Sequence, residues 1–194
     1  MTPSERSILD ALDGSLKSSD VHAVIRDVVR RVRAQLAHDE KAVMAWEPMP
    51  LQLFGNALPP APSRSGAPSR SGGPSRTGGI RSSWVFILRA GVNTGAERHP
   101  NSHQRMMSFA GSGDMQVRST FDSPWRSNVL VSDSNAPLEQ RWISIPPNVW
   151  HQPVVAPATD WVVVSFHTVP AEELIEERPD SAADGGTKQM RYMG

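Results

Sequence analysis

The chain has 194 residues, enough for one ordinary domain with a substantial apolar core but too few for two. Its 20 Lys and Arg residues balance its 20 Asp and Glu residues, so no overall field favours nucleic acid, an acidic membrane or a strongly charged partner. There is no cysteine, which excludes disulfides, zinc sites built on thiolates and thiol nucleophiles. Any metal ligands must therefore be histidine, carboxylate or amide side chains.

The beginning of the chain lacks a basic segment followed by an apolar stretch, and no run of residues reaches membrane-spanning length. We therefore expect a soluble, cytoplasmic protein that does not contact a membrane. The first predicted element is a short helix with Thr2 as its N-cap, Pro3 in its first turn and Glu5 three residues after the cap. Gly14 is its expected end.

A longer helix is predicted to begin near Ser19 or Asp20. Its apolar residues recur at intervals of three and four and form one stripe: Val21, Val24, Ile25, Val28, Val32 and Leu36. We expect this stripe to pack on the β-domain that follows or on a second copy of the chain, as in a homodimer. The opposite face carries four arginines, which we expect to be solvated. The alternative interpretation is a basic helix that binds a partner or nucleic acid.

From Ala61 the chain contains three near-copies of one six-residue unit, APSRSG, APSRSG and GPSRTG. The unit has almost nothing apolar to bury and is far shorter than the repeat of a solenoid protein. Residues 61–79 are therefore predicted to form a disordered loop.

After this loop the apolar period changes to two, which places Trp84, Phe86 and Leu88 on one face of a strand and Val85 and Ile87 on the other. Further strands are predicted at residues 97–99, 104–110, 115–118, 128–131, 141–145, 149–155 and 161–167, separated by Gly, Pro and Asn turns. Short strands at this spacing indicate an antiparallel sandwich or barrel. The chain would thus consist of N-terminal helices at 1–45, the loop at 61–79, a barrel at 80–170 and an acidic, flexible tail with one short helix at 171–194.

The segment from Gly91 to Gly111 reads GVNTGAERHPNSHQRMMSFAG. Its spacing resembles the first motif of the cupin superfamily, in which a Gly is followed after five residues by His-x-His, then by a Glu and finally by a second Gly. His99 stands at the second histidine position, Glu97 at the first histidine position and Gln104 at the glutamate position. Two of the three ligand types are therefore changed.

The second cupin motif has a Pro-x-Gly-x-x-His centre, which resembles residues Pro146 to His151. Asn148 replaces the glycine, and Asn tolerates the left-handed backbone of such a turn better than other non-glycine residues do. The outer markers differ: Gln140 stands where a Gly is usual and Val155 where an Asn is usual.

The resemblance implies a mainly β fold, an antiparallel cupin jelly-roll barrel with an N-terminal helical extension. Because residues two apart on a strand point the same way, Glu97 and His99 are expected to face the barrel interior. Gln104 and His151 would join them from neighbouring strands. This mixed set of nitrogen and oxygen ligands suits a divalent transition metal, with Fe(II) favoured and Mn(II), Ni(II) or Zn(II) as alternatives.

A competing register uses His103, since Glu97, His99 and His103 also have the spacing of the ligand motif. Gln104 and His103 cannot both face inward from a regular strand. Gln104 is favoured because Gly111 follows it by seven residues, as in the family. A neutral glutamine is a weak ligand, so Gln104 is also predicted to orient water or substrate beside the metal.

The resemblance supports two functional hypotheses. In the first, the chain is a mononuclear metal enzyme of the Fe(II) dioxygenase type, or a related small-molecule enzyme, in which Glu97 completes the shell or acts as a base. In the second, it is a metal-free or regulatory cupin that binds a ligand or a protein, in an arrangement similar to that of some anti-sigma factors. A metal-free barrel would pair Glu97 with Arg98 or Arg105 and leave its histidines simply hydrogen-bonded. His167, near the end of the last strand, is expected to be an ordinary edge histidine, and the alternative is that it points into the cavity. Neither hypothesis includes nucleic acid as a partner.

Overall fold

The computed structural model describes residues 1–57, 79–180 and 186–191, so the predicted loop at 61–79 lies almost wholly outside the described residues. The elements in chain order are α1 (Pro3–Leu16), α2 (Ser19–His38), β1 (Met44–Pro48), a 3-10 helix (Leu51–Ala57), β2 (Ser82–Leu88), β3 (Gln104–Ala110), β4 (Ser112–Arg118), β5 (Val129–Val131), α3 (Leu138–Arg141), β6 (Trp142–Ile145), β7 (Trp150–Val155), β8 (Trp161–His167), a 3-10 turn (Ala171–Glu173), β9 (Ile175–Pro179) and β10 (Thr187–Arg191).

The strands form two main antiparallel sheets. One has five strands in the order β1-β2-β8-β3-β6, the other has three in the order β5-β4-β7, and β9 and β10 form a separate hairpin. The predicted class, a mainly β antiparallel jelly roll with an N-terminal helical extension, is confirmed. Within the described residues, no helix is both long and apolar enough to cross a membrane.

The five-stranded sheet is buried on both faces, which explains its nearly continuous apolar strands. Its inner face packs against the three-stranded sheet through one cluster that includes Trp84, Phe86, Met115, Val117 and Leu130. Its outer face packs against the two helices through a second cluster, to which the alternate residues of β2 and β8 belong: Val85, Ile87, Val162, Val164 and Phe166. The predicted division of β2 into two faces is therefore confirmed.

Helix α2 packs through its apolar stripe, as the sequence predicts. Five of the six stripe residues are buried, namely Val21, Ile25, Val28, Val32 and Leu36, and they belong to the cluster that covers the outer face of the five-stranded sheet. The stripe therefore packs on the β-domain of the same chain. On the opposite face, Arg31 Nε donates to Glu47 Oε2 of β1 at 2.8 Å, while Arg26, Arg30 and Arg33 are exposed.

Helix α1 begins as predicted, because the Glu5 amide donates to the Thr2 side chain at 3.2 Å. It does not end at Gly14 but continues to Leu16. Leu12 and Leu16 are four residues apart and both are buried, so packing of this face on the sheet carries the helix through the glycine.

Two buried ion pairs attach α1 to the sheet. The Asp13 carboxylate accepts from Arg141 Nη2 and from the Trp142 indole, each at 2.9 Å. The Glu5 carboxylate accepts from Arg105 Nε at 2.6 Å and from Arg105 Nη2 at 2.9 Å. Removing one member of a buried ion pair leaves an uncompensated charge, so these contacts specify where the helix docks.

In the described part of the C-terminal segment, a 3-10 turn and two strands stand where the sequence predicts one short helix and a flexible tail. After the short 3-10 turn, β9 pairs through its backbone with Arg98, with reciprocal Arg98–Glu177 hydrogen bonds of 2.9 Å. Strand β9 is rich in charged residues and has no alternating apolar pattern. It is held by backbone pairing and ion pairs with distant segments, which the β-propensity of its residues does not predict. The division of the chain into domains stays a prediction.

We predict that Asp13→Asn lowers the free energy of unfolding by about 3 kcal/mol, because the buried Arg141 guanidinium loses its counter-charge. Chemical denaturation measures this change. The matched control is Asp10→Asn on the same helix, whose side chain is 59% exposed and which should change stability by less than about 0.5 kcal/mol. Equal effects of the two substitutions would contradict the assigned role of Asp13.

The same contact predicts a dependence of stability on pH. Burial alone would raise the pKa of Asp13, but hydrogen bonds from Arg141, Lys17 and Trp142 hold it well below its usual range. A carboxyl with a lowered folded-state pKa contributes stability above its unfolded pKa of about 3.9, and this stability is lost as the pH falls towards the folded value. Between pH 6 and pH 2.5, native protein should therefore lose more stability than Asp13→Asn; parallel curves would contradict this prediction.

Candidate metal centre

The loop that carries the first motif is bounded by two glycines whose backbones require that residue. Gly91 has φ 78° and Gly111 has φ 76°, both in the left-handed region. A Cβ atom at Gly111 would stand 2.4 Å from the Asp160 carbonyl oxygen. Gly111 is the turn through which the chain passes from β3 of one sheet to β4 of the other.

Glu97 and His151 are brought together by a backbone bridge. The Glu97 amide donates to the His151 carbonyl at 2.9 Å, and the His151 amide donates to the Glu97 carbonyl at 2.8 Å. Directly paired residues place their side chains on the same face. His151 Nε2 therefore lies 3.4 Å from Glu97 Oε1.

His99 completes a group of three. It lies two residues beyond Glu97, is 2% exposed, and its ring centroid is 5.3 Å from that of His151. One candidate ligand atom from each of Glu97, His99 and His151 lies within 4.8 Å of the others. The structure thus brings together three of the four residues that the motifs indicate.

The orientation of both imidazoles is set by backbone carbonyls. His99 Nδ1 lies 3.0 Å from the Ile175 carbonyl oxygen, and His151 Nδ1 lies 3.2 Å from the Val149 carbonyl oxygen. Because a carbonyl oxygen only accepts, each Nδ1 carries the proton, and in the neutral ring each Nε2 carries the lone pair. This is the tautomer that a metal-ligating histidine adopts when its other nitrogen is hydrogen-bonded.

The charge states in the cluster also suit metal binding, which requires neutral imidazole and ionised carboxylate. Burial and then the proximity of His151 lower the pKa of His99 to about 4. Burial alone would raise the pKa of Glu97, but the adjacent His151 side chain and the Arg178 guanidinium hold it well below its usual range. Near neutral pH, His99 is therefore neutral and Glu97 is ionised.

Asn148 occupies the left-handed position that the second motif predicts, with φ 65°. Its amide donates to the His99 carbonyl at 3.1 Å, so the turn before β7 also holds the first motif. The substitution of Asn for the usual glycine therefore preserves the backbone that presents His151.

Gln104 faces the barrel interior, and His103 does not. Gln104 is 5% exposed, its Nε2 donates to Ser165 Oγ at 3.2 Å, and its Oε1 has no hydrogen bond within the part of the chain that the structure describes. His103 lies on the other face of the sheet, with Nε2 2.7 Å from Ser144 Oγ and 3.7 Å from Glu5. The structure therefore does not have the register in which His103 faces the cluster. Successive residues of an extended chain point to opposite faces, and Gln104 is the one that points inward.

The partner of Glu97 is a residue that sequence reasoning missed. Arg178 Nη2, from β9, donates to Glu97 Oε2 at 2.8 Å. The expected partners are engaged elsewhere: Arg98 Nε donates to Glu177 at 2.7 Å, and Arg105 bonds to Glu5. No local signal marks Arg178, since 81 residues separate it from Glu97.

His167 is not an ordinary edge histidine. It is fully buried, and its ring centroid is 5.0 Å from that of His99. Its Nε2 lies 3.1 Å from Ser165 Oγ and its Nδ1 lies 3.4 Å from Ser102 Oγ. Burial and the nearby His99 hold the pKa of His167 well below its usual value. His167 thus adds a neutral imidazole behind the three-residue cluster.

A small pocket of about 40 Å³ lies in front of the cluster, with Glu97, Gln104 and His151 in its wall. This volume holds about three ordered waters. The remaining wall is largely apolar: Met44, Phe86, Leu88, Met106, Met115 and Val163. The pocket thus combines the polar groups of the cluster, Thr94 and Ser165 with a mostly apolar wall.

No family model matches the sequence, and no curated protein matches it. Among solved structures, the chain is similar to the capsular polysaccharide assembling protein CapF from Staphylococcus aureus, with 16% identity and a TM-score of 0.40 over 56% of this chain and 27% of that one. The 11S globulin from Wrightia tinctoria is 17% identical with a TM-score of 0.40, over 48% of this chain and 21% of that one. Oxalate decarboxylase from Bacillus subtilis is 16% identical with a TM-score of 0.37, over 44% and 20%. The aligned part thus spans about a quarter or less of each of these longer chains.

The left-handed backbone at Asn148 can be tested by substitution. We predict that Asn148→Ala lowers the free energy of unfolding by about 1 kcal/mol, because alanine tolerates φ 65° poorly, whereas Asn148→Gly leaves it nearly unchanged. Urea denaturation measures both. An alanine variant as stable as the native protein would show that the turn can relax and that the left-handed backbone does not constrain position 148.

Proposed function

We propose that this cupin-fold chain binds one divalent transition metal ion through His99, His151 and Glu97, and that the bound metal supports oxidation of a small organic molecule by dioxygen. The observation that carries the proposal is the convergence of two imidazoles and one carboxylate within 4.8 Å. Two histidines and one carboxylate with open positions beside them are the ligand set typical of non-haem Fe(II) oxygenases.

The residues present fit a metal ion. In its neutral form, His151 presents the lone pair of Nε2 to Glu97 Oε1 at 3.4 Å, and two acceptors at this distance repel unless a positive charge lies between them. Gln104 Oε1 is a further buried acceptor for which the described residues provide no donor. A cation in this position would relieve both arrangements, with His99, His151 and Glu97 as ligands and Gln104 beside them.

Fe(II) is the favoured metal, while Mn(II), Ni(II) and Zn(II) suit the same donor set. When bound, such an ion supplies Lewis acidity and, for iron, one-electron chemistry with dioxygen. The Glu97 carboxylate offsets part of the metal charge, and the Gln104 amide is placed to orient water or a polar substrate group. The apolar wall excludes bulk water from the same space.

The size and lining of the pocket support a small or narrow substrate. A space of about 40 Å³ accepts the reacting end of an organic molecule and a few waters, not a bulky ring system. The polar residues would bind the reacting group and the apolar wall the carbon skeleton. A lyase or isomerase that depends on metal would use the same residues.

We predict that native protein, purified without chelator or metal-affinity tag, contains close to one equivalent of transition metal, and that His99→Ala and His151→Ala each lower this to about a tenth or less. Elemental analysis by mass spectrometry measures the metal. His103→Ala is the control, because His103 is a half-buried histidine close to His99 in the sequence whose side chain lies on the opposite face of the sheet.

Loss of metal in His103→Ala equal to that in His99→Ala would contradict the assigned ligands. Absence of metal from native protein, also after incubation with Fe(II) under anaerobic conditions, would remove the enzyme proposal. For a metal-loaded protein, dioxygen uptake in an oxygen electrode with a panel of small organic acids, alcohols and thiols tests the reaction class, with His151→Ala as the inactive reference.

A second candidate function is a metal-free cupin that binds a ligand or regulates a partner, and one contact favours it. Arg178 already supplies a positive charge to Glu97, so this guanidinium would neutralise the carboxylate without metal. An experiment that deletes the N-terminal helices would not distinguish the two candidate functions. Leu9, Leu12 and Ile25 of these helices belong to the same hydrophobic core as the sheet, so the deletion would also disrupt that core.

Replacement of Arg178 separates them instead. If the cluster is a metal site, Arg178→Gln removes a competing cation from Glu97 and should tighten metal binding about fivefold. If it is metal-free, the variant binds no metal and loses a few kcal/mol of stability, because Glu97 keeps a buried charge with fewer partners. Metal titration and urea denaturation distinguish these results, and Arg191→Gln on the exposed strand β10 is the control.

A further inference from the structure

A second and larger pocket lies between β4 and β6. Its volume is about 440 Å³, compared with about 40 Å³ in front of the metal cluster. The lining includes apolar side chains that belong to or contact the inner core, namely Val117, Ile143, Ile145 and Val149. This apolar part, hereafter the floor, offers a surface for a hydrocarbon chain or ring.

The rim of the pocket is basic. Arg118, Arg126, Ser119 and Ser123 line it. Val117 and Arg126 form a reciprocal backbone bridge with distances of 3.0 and 2.8 Å, so the side chain of Arg126 lies on the same face as that of Val117 in the floor. Within residues 1–57, 79–180 and 186–191, neither arginine forms an ion pair with a carboxylate within 4.0 Å.

One of the two cations is held in place by aromatic rings. The Arg118 guanidinium lies 4.4 Å from the ring centroid of Phe121 and 4.2 Å from that of Trp125. Its Nε is buried and has no hydrogen bond within the described part of the chain. Asp122 interacts with Arg118 electrostatically without forming an ion pair. Because Nε is shielded from the pocket, a ligand would meet the outer Nη donors of Arg118, and a guanidinium held in one orientation is a common means by which proteins recognise a carboxylate.

We infer that this arginine pocket binds an amphipathic carboxylate, an organic acid whose carboxylate meets Arg126 and Arg118 and whose apolar chain or ring lies on the floor. A polynucleotide would meet phosphate-binding arginines but would leave the floor unused, and the chain as a whole has no excess of positive charge. An apolar group without charge would leave the rim unused. The combination of floor and rim therefore selects the amphipathic anion.

The floor shares strands with the metal cluster. In the β4–β7 register Val117 pairs with His151, and in the β3–β6 register Ile145 pairs with Gln104. The apolar end of a bound acid would thus lie beside the strands that present two residues of the candidate metal centre. The inference itself does not depend on metal, so it is tested with metal-free protein.

Isothermal titration calorimetry with the full chain in a buffer containing chelator tests the inference, with decanoate as the probe and decyltrimethylammonium as the probe of equal chain length and opposite charge. We expect saturable binding of one decanoate, at least about tenfold tighter than that of the cation. Hexanoate should bind more weakly than decanoate, because it covers less of the floor. Equal affinity for the two decyl compounds, or no binding of decanoate, would overturn the inference.

Arg126→Gln is the diagnostic variant, since the Arg126 side chain is exposed and only its backbone takes part in the strand bridge. It should weaken decanoate binding about tenfold, the loss expected for one charge-assisted contact. Arg26→Gln, an exposed arginine of α2, is the charge-matched control and should bind as native protein does. Urea denaturation confirms that both variants are folded, and unchanged decanoate affinity in Arg126→Gln would contradict the assignment.

Discussion

The candidate centre depends on one short piece of antiparallel pairing, the two backbone hydrogen bonds between Glu97 and His151. This bridge ties the loop of the first motif to β7, so a carboxylate from one segment and an imidazole from another face the same point. His99 follows by the period of two, and its carbonyl is held by the amide of Asn148. The glycine at position 111 then turns the chain into the second sheet. Without the bridge, the two motifs would be separate loops.

The surroundings of the cluster are built to keep it in one protonation state and one orientation. Backbone carbonyls of Ile175 and Val149 orient the two imidazoles, and burial keeps His99 neutral. The helices contribute at a distance, because they bury the outer face of the sheet whose inner face carries Gln104 and His167. Buried ion pairs at Glu5 and Asp13 specify that docking. The N-terminal helices are therefore part of the unit that positions the site.

Sequence reasoning succeeded where the physical cause is local. Alternation along a strand allows only one of His103 and Gln104 to face inward, and the seven-residue spacing to Gly111 favours Gln104. Asn148 in place of the usual glycine is compatible with a left-handed turn, which the structure has. It failed where the cause is a contact between distant segments. Arg178 reaches Glu97 from a charged strand with no apolar period, and Gly14 remains helical because Leu16 packs on the sheet. His167 was placed at an edge, although its partners in adjacent strands, Gln104 and Ser82, surround it within the sheet. Partners of this kind become visible only when the strand order is known.

Everything proposed for the cluster requires that His99, His151 and Glu97 share one metal ion. X-ray absorption spectroscopy of the protein loaded with one equivalent of Zn(II), a stable substitute for Fe(II), tests this most directly because the spectrum distinguishes imidazole scattering from other nitrogen and oxygen ligands. We expect two imidazoles in the first coordination shell, with oxygen ligands completing it, and one imidazole in His99→Ala. A shell of oxygen ligands alone, or an unchanged imidazole count in that variant, would show that the three residues do not hold the metal together.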